Sequence, residues 1–267
     1  MDISKLKDVL FSKYDINAVS IDKSNESTDG NVFIVSEENG NKYVIKVYDN
    51  INHAKSMVEL HTYISKIGLK APSIINNNEN DPVIEEGNCY IVCYSFVEGV
   101  KLKETDLSTR RIENIAKYLR ALHSIKENRF NLQEVPLRTE TDRQSVLHFD
   151  ITKQNIFINP NNQEDNKDEE INFIDFDDAK FGPSVCDVAI AATNLFISKA
   201  NGLDKDGMKL FINAYYQDNN ELKEKELPLI KEAAINWLES IIDNPNFDTS
   251  TKSGLENKLS IWNDINI

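Results

Sequence analysis

His148-Phe149-Asp150-Ile151-Thr152-Lys153-Gln154-Asn155-Ile156-Phe157-Ile158, followed later by Ile174-Asp175-Phe176-Asp177-Asp178, stands out from the rest of the 267 residues. The spacing is H-x-D-x-x-x-x-N running straight into an apolar triplet of strand character. A second such run, Ile171-Asn172-Phe173-Ile174, follows the polar, turn-rich segment Asn159 to Glu170 (NPNNQEDNKDEE), so the two runs are expected to close as a hairpin around a loop tip. Phosphoryl transfer asks little covalent work of a protein. It needs a carboxylate to orient and accept the proton of an attacking hydroxyl, and oxygen ligands that fix Mg²⁺ on nucleotide phosphates. Asp150 is suited to the first task, Asn155 and Asp175 to the second.

Towards the N-terminus the pattern is strand-like: Val32 to Val35, Tyr43 to Tyr48 and Tyr90 to Tyr94, the first two joined through Asn39-Gly40, a hairpin signal. Between the second and third strands, Met57, Val58, His61, Ile64 and Ile67 recur at helical spacing, with Gly68 as a stop. Beyond Gly99 the periodicity becomes helical. Ile112, Ile115, Ala116, Leu119, Leu122 and Ile125 share one face behind a cap at Asp106 or Ser108, and Val185–Phe196, Leu210–Tyr216, Leu229–Ile242 and Leu255–Trp262 also read as helices. The expected class is α+β: a small antiparallel β-sheet lobe with one helix over residues 1–97, and a larger, mainly helical lobe over 98–267.

These motifs resemble those of the aminoglycoside phosphotransferase and choline kinase superfamily, small-molecule kinases with a bilobal protein-kinase-like fold. Members carry H-G-D-x-x-x-x-N, then I-D-[WF], then G-x-x-x-x-D. The counterparts here are His148-Phe149-Asp150 to Asn155, Ile174-Asp175-Phe176, and Gly182 to Asp187. The resemblance implies that Asp150 is the catalytic base and that Asn155 and Asp175 are magnesium ligands, with His148 and Asp187 supporting the catalytic loop. Phe149 stands where many relatives have glycine.

In the N-terminal half, Lys46 interrupts the apolar run Val44-Ile45-Lys46-Val47-Tyr48, which is costly unless its ammonium has a partner. The resemblance implies that Lys46 bridges the nucleotide phosphates and Glu59 on the following helix. It also implies that the backbone of Ser95 and Val97 meets the purine edge, and that Ser27 to Asn31 covers the phosphates despite holding one glycine. The cofactor expected is Mg²⁺, with ATP or GTP as phosphate donor.

Composition excludes other classes. With 30 basic against 44 acidic side chains the formal charge is −14, which disfavours nucleic acid or anionic membrane as a partner, since both require a positive footprint. Three cysteines without C-x-x-C spacing, a charged N-terminus and no run of about 18 apolar residues point to a reducing cytoplasm. P-loop, dinucleotide-binding and nucleophile-elbow motifs are missing from the sequence. Asp175 is followed within twelve residues by Asp187, too short a gap for a peptide-docking platform.

The reading favoured is a Mg²⁺-dependent kinase that moves the γ-phosphate of ATP or GTP to a hydroxyl of a small molecule. Asp178, Glu232, Glu239 and Asp243 suggest a cationic acceptor such as an aminoglycoside or amino alcohol, which would open a role in antibiotic resistance. Trp237 is read as core. The alternatives are a kinase-fold nucleotide-binding protein without transfer activity, and an atypical protein kinase.

Overall fold

The chain, seen in a computed structural model, is described over residues 1–24, 31–103, 107–135, 143–159, 170–198, 202–217 and 219–265. It divides into two compact units, Met1–Glu98 and Gly99–Ile267. No described helix is long and apolar enough to cross a membrane.

The first unit runs α1 (Ile3–Tyr14), β1 (Ala18–Lys23), β2 (Val32–Glu37), β3 (Lys42–Tyr48), α2 (Ile51–Lys66), β4 (Ile74–Ile75), β5 (Val83–Glu86) and β6 (Cys89–Ser95). Its sheet is antiparallel in the order β1-β2-β3-β6, and the outer edge of β6 is shared between β4 and β5. Period-2 alternation sends Phe33, Val35, Ile45, Val47, Ile91 and Cys93 into one core. That core is covered by α1, so the unit holds two helices where the sequence reading expected one. Leu6, Val9, Leu10 and Tyr14 follow helical spacing behind an Asp2 cap and are buried, a signal masked by the four charged residues among the first eight.

The second unit contains β7 (Val100–Lys101), α3 (Thr109–Leu122), β8 (Gln133–Glu134), β9 (Gln144–Leu147), β10 (Ile156–Ile158), β11 (Ile171–Phe173), β12 (Lys180–Pro183), α4 (Ser184–Phe196), β13 (Ile197–Ser198), β14 (Gly202–Leu203), α5 (Lys205–Tyr216), α6 (Asn220–Ile242) and α7 (Thr249–Asp264). The expected hairpin is present: β10 pairs antiparallel with β11, and Asn159 N–H donates to Glu170 O across its open end. β7 adds to the other side of β10. This pairing depends on Gly99, whose φ is +136° and where an added Cβ would lie 2.5 Å from the Ile158 carbonyl oxygen. A second small sheet joins β12 to β9 and β8.

Helix ends follow local chemistry. Ser108 caps α3, accepting from Arg111 N–H, whereas Asp106 and residues 27–30 of the expected phosphate-covering loop lie outside the described residues. α6 starts earlier than Leu229 because Pro228 sits within its first part instead of preceding it. The apolar helix α4 is buried along almost its whole length. Trp262, fully buried on α7, donates its indole N–H to Thr193 Oγ1 at 2.8 Å. Trp237, read as core from its spacing, is only half-buried, because the inward face of α6 is carried by Glu226, Ile230, Ala233, Ala234 and Leu238.

Candidate active site

β9 delivers His148 into the interior, and the chain then turns sharply: Phe149 has φ +65°. That conformation suits glycine, which explains the glycine common at this position in the resembled family, and the strain it places on a phenylalanine marks a constrained loop. The turn aims two successive backbone N–H groups at one carboxylate. Asp187, fully buried in the first turn of α4, accepts from His148 N–H (2.7 Å) and Phe149 N–H (2.8 Å). Asp187 thus ties the turn at Phe149 to α4.

His148 fastens the other side of the loop. Its Nε2–H donates to the Ile174 carbonyl at 3.0 Å and its Nδ1 accepts from Asp150 N–H at 3.3 Å, which together define the tautomer. The ring packs against Phe176 at 4.3 Å between centroids. Ile174 N–H in turn donates to Asn155 O. One imidazole therefore links Asp150 to the residue preceding Asp175, which itself adopts φ +65°.

Asn155 stands at the end of a short 3₁₀ turn over Lys153–Asn155 and is buried. Its amide nitrogen donates to the Asp150 carboxylate (2.6 Å) and to the Asp150 carbonyl (3.0 Å), so both N–H donors are spent on Asp150 and the side-chain oxygen is left to accept or ligate. Burial raises the pKa of Asp150, with the charges of Asp178 and Asp175 adding to it, while His148 and the Asn155 bond oppose it. A partly desolvated carboxylate held by an amide is suited to receiving a proton.

Among the described residues no group of three or more His, Cys, Asp or Glu side chains is arranged to hold a metal ion alone. The donor set nevertheless fits Mg²⁺ on a nucleotide: an unspent amide oxygen at Asn155 and a carboxylate at Asp175, hard oxygens that phosphate and water would complete. Asp178 is electrostatically coupled to Asp175 and to Asp150. Its burial and the charge of Asp175 raise its own pKa, so its carboxylate lies in the electrostatic neighbourhood of Asp150 and Asp175.

In the N-terminal unit the expected residues are only partly assembled. Lys46 is half-buried on β3, its Nζ 5.9 Å from the Tyr94 ring centroid. Glu59 does not pair with it: it is exposed on α2 and makes no ion pair among the described residues. The helical phase explains this. α2 buries Ala54, Met57, Val58, His61 and Ile64, a stripe that leaves Glu59 outside it and instead sets His61 edge-on to Tyr94. Ser95 N–H donates to Ser73 O at 2.9 Å, which removes it as a donor to a purine. Val97 N–H has no partner among the described residues and keeps that capacity.

Sequence reading missed His123. It is buried at the end of α3, with Nε2 3.1 Å from Asp187 Oδ2 and Nδ1 2.7 Å from the Tyr215 hydroxyl. The chain of contacts continues through Arg143 to the buried Glu226, which also accepts from the Tyr216 hydroxyl. A helical histidine spaced with apolar neighbours was the available signal, but its partners lie 64 and 92 residues away.

Residues 48–227 match the ecdysteroid kinase-like family. The chain belongs to that family. Membership in a kinase-like family bears out the assignment of the chain as an enzyme of the small-molecule kinase type. No curated protein matches the chain in sequence. Among solved structures, an amicoumacin kinase in complex with AMP-PNP, Ca²⁺ and Ami is similar, with a TM-score of 0.71 and 15% identity over 99% of this chain and 94% of that one. A microcompartment-associated aminopropanol kinase gives 0.72 and 14% over 98% and 97%. The GDP complex of an aminoglycoside 2′-phosphotransferase gives 0.69 and 11% over 99% of each chain. The α+β kinase-like fold expected from the motifs is the fold shared with these proteins.

Proposed function

We propose that this chain transfers the γ-phosphate of ATP or GTP, with Mg²⁺, to a hydroxyl of a small molecule in the cytoplasm. The observation that carries the reading is the Asp150–Asn155 pair: a carboxylate of raised pKa held at 2.6 Å by an amide whose oxygen is left for a metal. Asp150 accepts the proton of the acceptor hydroxyl. The hydroxyl oxygen bonds to the γ-phosphorus, the bond from that phosphorus to the β–γ bridging oxygen breaks, and the nucleoside diphosphate leaves with the electron pair. Asn155 and Asp175 hold Mg²⁺, which when bound neutralises the phosphate charge. Lys46 supplies a cation to the nucleotide phosphates and Val97 N–H a donor to its base, while Glu59 has no part in the arrangement as it stands.

The acidic residues that suggested a cationic acceptor do not strengthen that choice. Glu232, Glu239 and Asp243 are exposed on or beside α6, as a solvated helix face would be. The test is Mg²⁺-dependent release of nucleoside diphosphate across a panel of hydroxylated small molecules, wild type against Asp150→Ala. Acceptor-dependent release lost in the variant supports the reading, and full activity in the variant removes Asp150 as the base. Label appearing on serine or threonine of added proteins, and not on small molecules, would favour a protein kinase instead.

A further inference from the structure

Asp187 and Asn194 are seven residues apart on α4, two turns, and so share a helix face. Both address the catalytic loop. Asp187 takes the N–H groups of His148 and Phe149, and Asn194 donates its amide N–H to the carbonyl of Ile151, the residue directly after Asp150, at 3.2 Å. The oxygen of the same Asn194 amide receives the ammonium of Lys258, Nζ to Oδ1 at 2.9 Å.

Lys258 is a half-buried cation whose one partner among the described residues is a neutral amide. A second lysine, Lys153 of the catalytic loop itself, is close enough to act on it. Burial first, and then the charge of Lys153, brings the Lys258 ammonium down from the usual lysine range to about 8. Lys258 thus sets a half-buried positive charge against the amide that holds the loop, in a chain of net charge −14. Desolvating an ammonium without an opposing charge is unfavourable, and an anion relieves it.

The lysine is also held in place. One helical turn further on, Trp262 is fully buried and bonded to Thr193, the neighbour of Asn194. Lys231 of α6 donates to the carbonyls of Asn263 (3.0 Å) and Ile265 (2.8 Å) at the end of α7. Lys258 is therefore presented on an anchored helix and does not trail into solvent.

We infer that Lys258 forms an anion subsite beside the catalytic loop, and that the acceptor is a small alcohol carrying a carboxylate or phosphate, not an amino alcohol. The inference rests on the proposed function for one point only, that the acceptor hydroxyl is directed at Asp150. Asn194 couples the two places: it fixes the loop through Ile151 and the ammonium through its oxygen.

The test is calorimetric titration of the full chain, with Mg²⁺ and AMP-PNP present, using three alcohols of one length and different charge: 3-hydroxypropionate, 1,3-propanediol and 3-amino-1-propanol. Glycerol 2-phosphate represents the phosphate class. The acid or the phosphate binds more tightly than the diol by about tenfold or more, the range of a bond to a charged group. Lys258→Gln abolishes that preference and leaves AMP-PNP affinity intact, whereas Lys258→Arg preserves most of it. Equal or better binding of the diol or the amino alcohol, no binding by either anion, or a preference that survives Lys258→Gln would each overturn the inference. Loss of AMP-PNP affinity in Lys258→Gln would assign the ammonium to the transferred phosphate and overturn it too. Unaltered AMP-PNP binding also shows that the variant is folded. Because binding is read and not turnover, a chain that binds the acid but transfers nothing breaks the proposed function and leaves this subsite standing.

Discussion

The catalytic loop and the C-terminal helices of the same unit encode their roles in opposite ways. Between His148 and Asp187, residue types, spacing, backbone strain and hydrogen bonds converge on one arrangement: two N–H groups on Asp187, an imidazole between Asp150 and Ile174, an amide on Asp150. On α6 and α7 most polar side chains are exposed and interchangeable, and the informative contact, Lys258 to Asn194, joins residues 64 apart. The contacts of the loop are thus written locally, whereas those of the C-terminal helices are written across the fold. Substitutions in the two regions should differ accordingly.

The largest effect is expected in the loop. Asp150→Asn removes the proton acceptor and lowers turnover by about 100- to 10,000-fold. The same change makes the protein more stable at neutral pH, because the carboxylate it removes is partly desolvated. The sign follows from the raised pKa. The folded state of the wild type binds the Asp150 proton more readily than the unfolded state, so ionised Asp150 lowers stability above its folded pKa. Thermal melts of wild type and variant should therefore differ near neutral pH and converge as the pH falls and wild-type Asp150 protonates. A variant that is inactive because it is unfolded would break the comparison.

Asp187→Ala comes next and should cost stability and activity together. It strands the buried N–H of His148 and the part-buried N–H of Phe149, the first at a cost of about 1–3 kcal/mol, and takes a partner from His123. Denaturant unfolding gives the number, and a loss below about 1 kcal/mol would show that the loop is not held by this carboxylate. Gly99→Ala is expected to cost about 1–3 kcal/mol through its backbone conformation and the clash with Ile158 O, without a specific defect in nucleotide affinity.

These expectations track what the sequence could and could not disclose. The loop was legible because its contacts are confined to a short motif: His148 and Asn155 both bond Asp150, and Asp187 takes the N–H groups of His148 and Phe149. Glu59 was misplaced because a position thirteen residues after Lys46 fixes sequence distance and not helical phase, and α2 turns that position towards solvent. The helix α1 was hidden by its charged outer face. His123 and Lys258 were invisible for a different reason: each is defined by partners that only the tertiary fold brings near.

Smaller effects belong to the C-terminal helices. Lys258→Met should raise stability near neutral pH. Its ammonium is disfavoured in the folded state, and because the folded pKa lies below the unfolded one, the penalty is complete below pH 8. The advantage of the variant should shrink as the pH rises through that value, and a gain that persists undiminished at pH 10 would contradict the assignment. Glu239→Gln should be the least consequential, within about 0.5 kcal/mol in stability, because the residue is exposed. A fall in affinity for a cationic alcohol in that variant would restore the acidic helix face as an acceptor surface.

If Asp150 drives phosphoryl transfer to a small hydroxyl compound, the γ-phosphate itself reports it. Nucleotide labelled at the γ-position is incubated with Mg²⁺, the hydroxylated panel and either wild type or Asp150→Asn, and the label is traced by mass. Label is expected covalently attached to a panel alcohol in the wild-type reaction, with a loss of that product by about 100-fold or more in the variant and nucleotide still bound. Equal labelling by both proteins would contradict it.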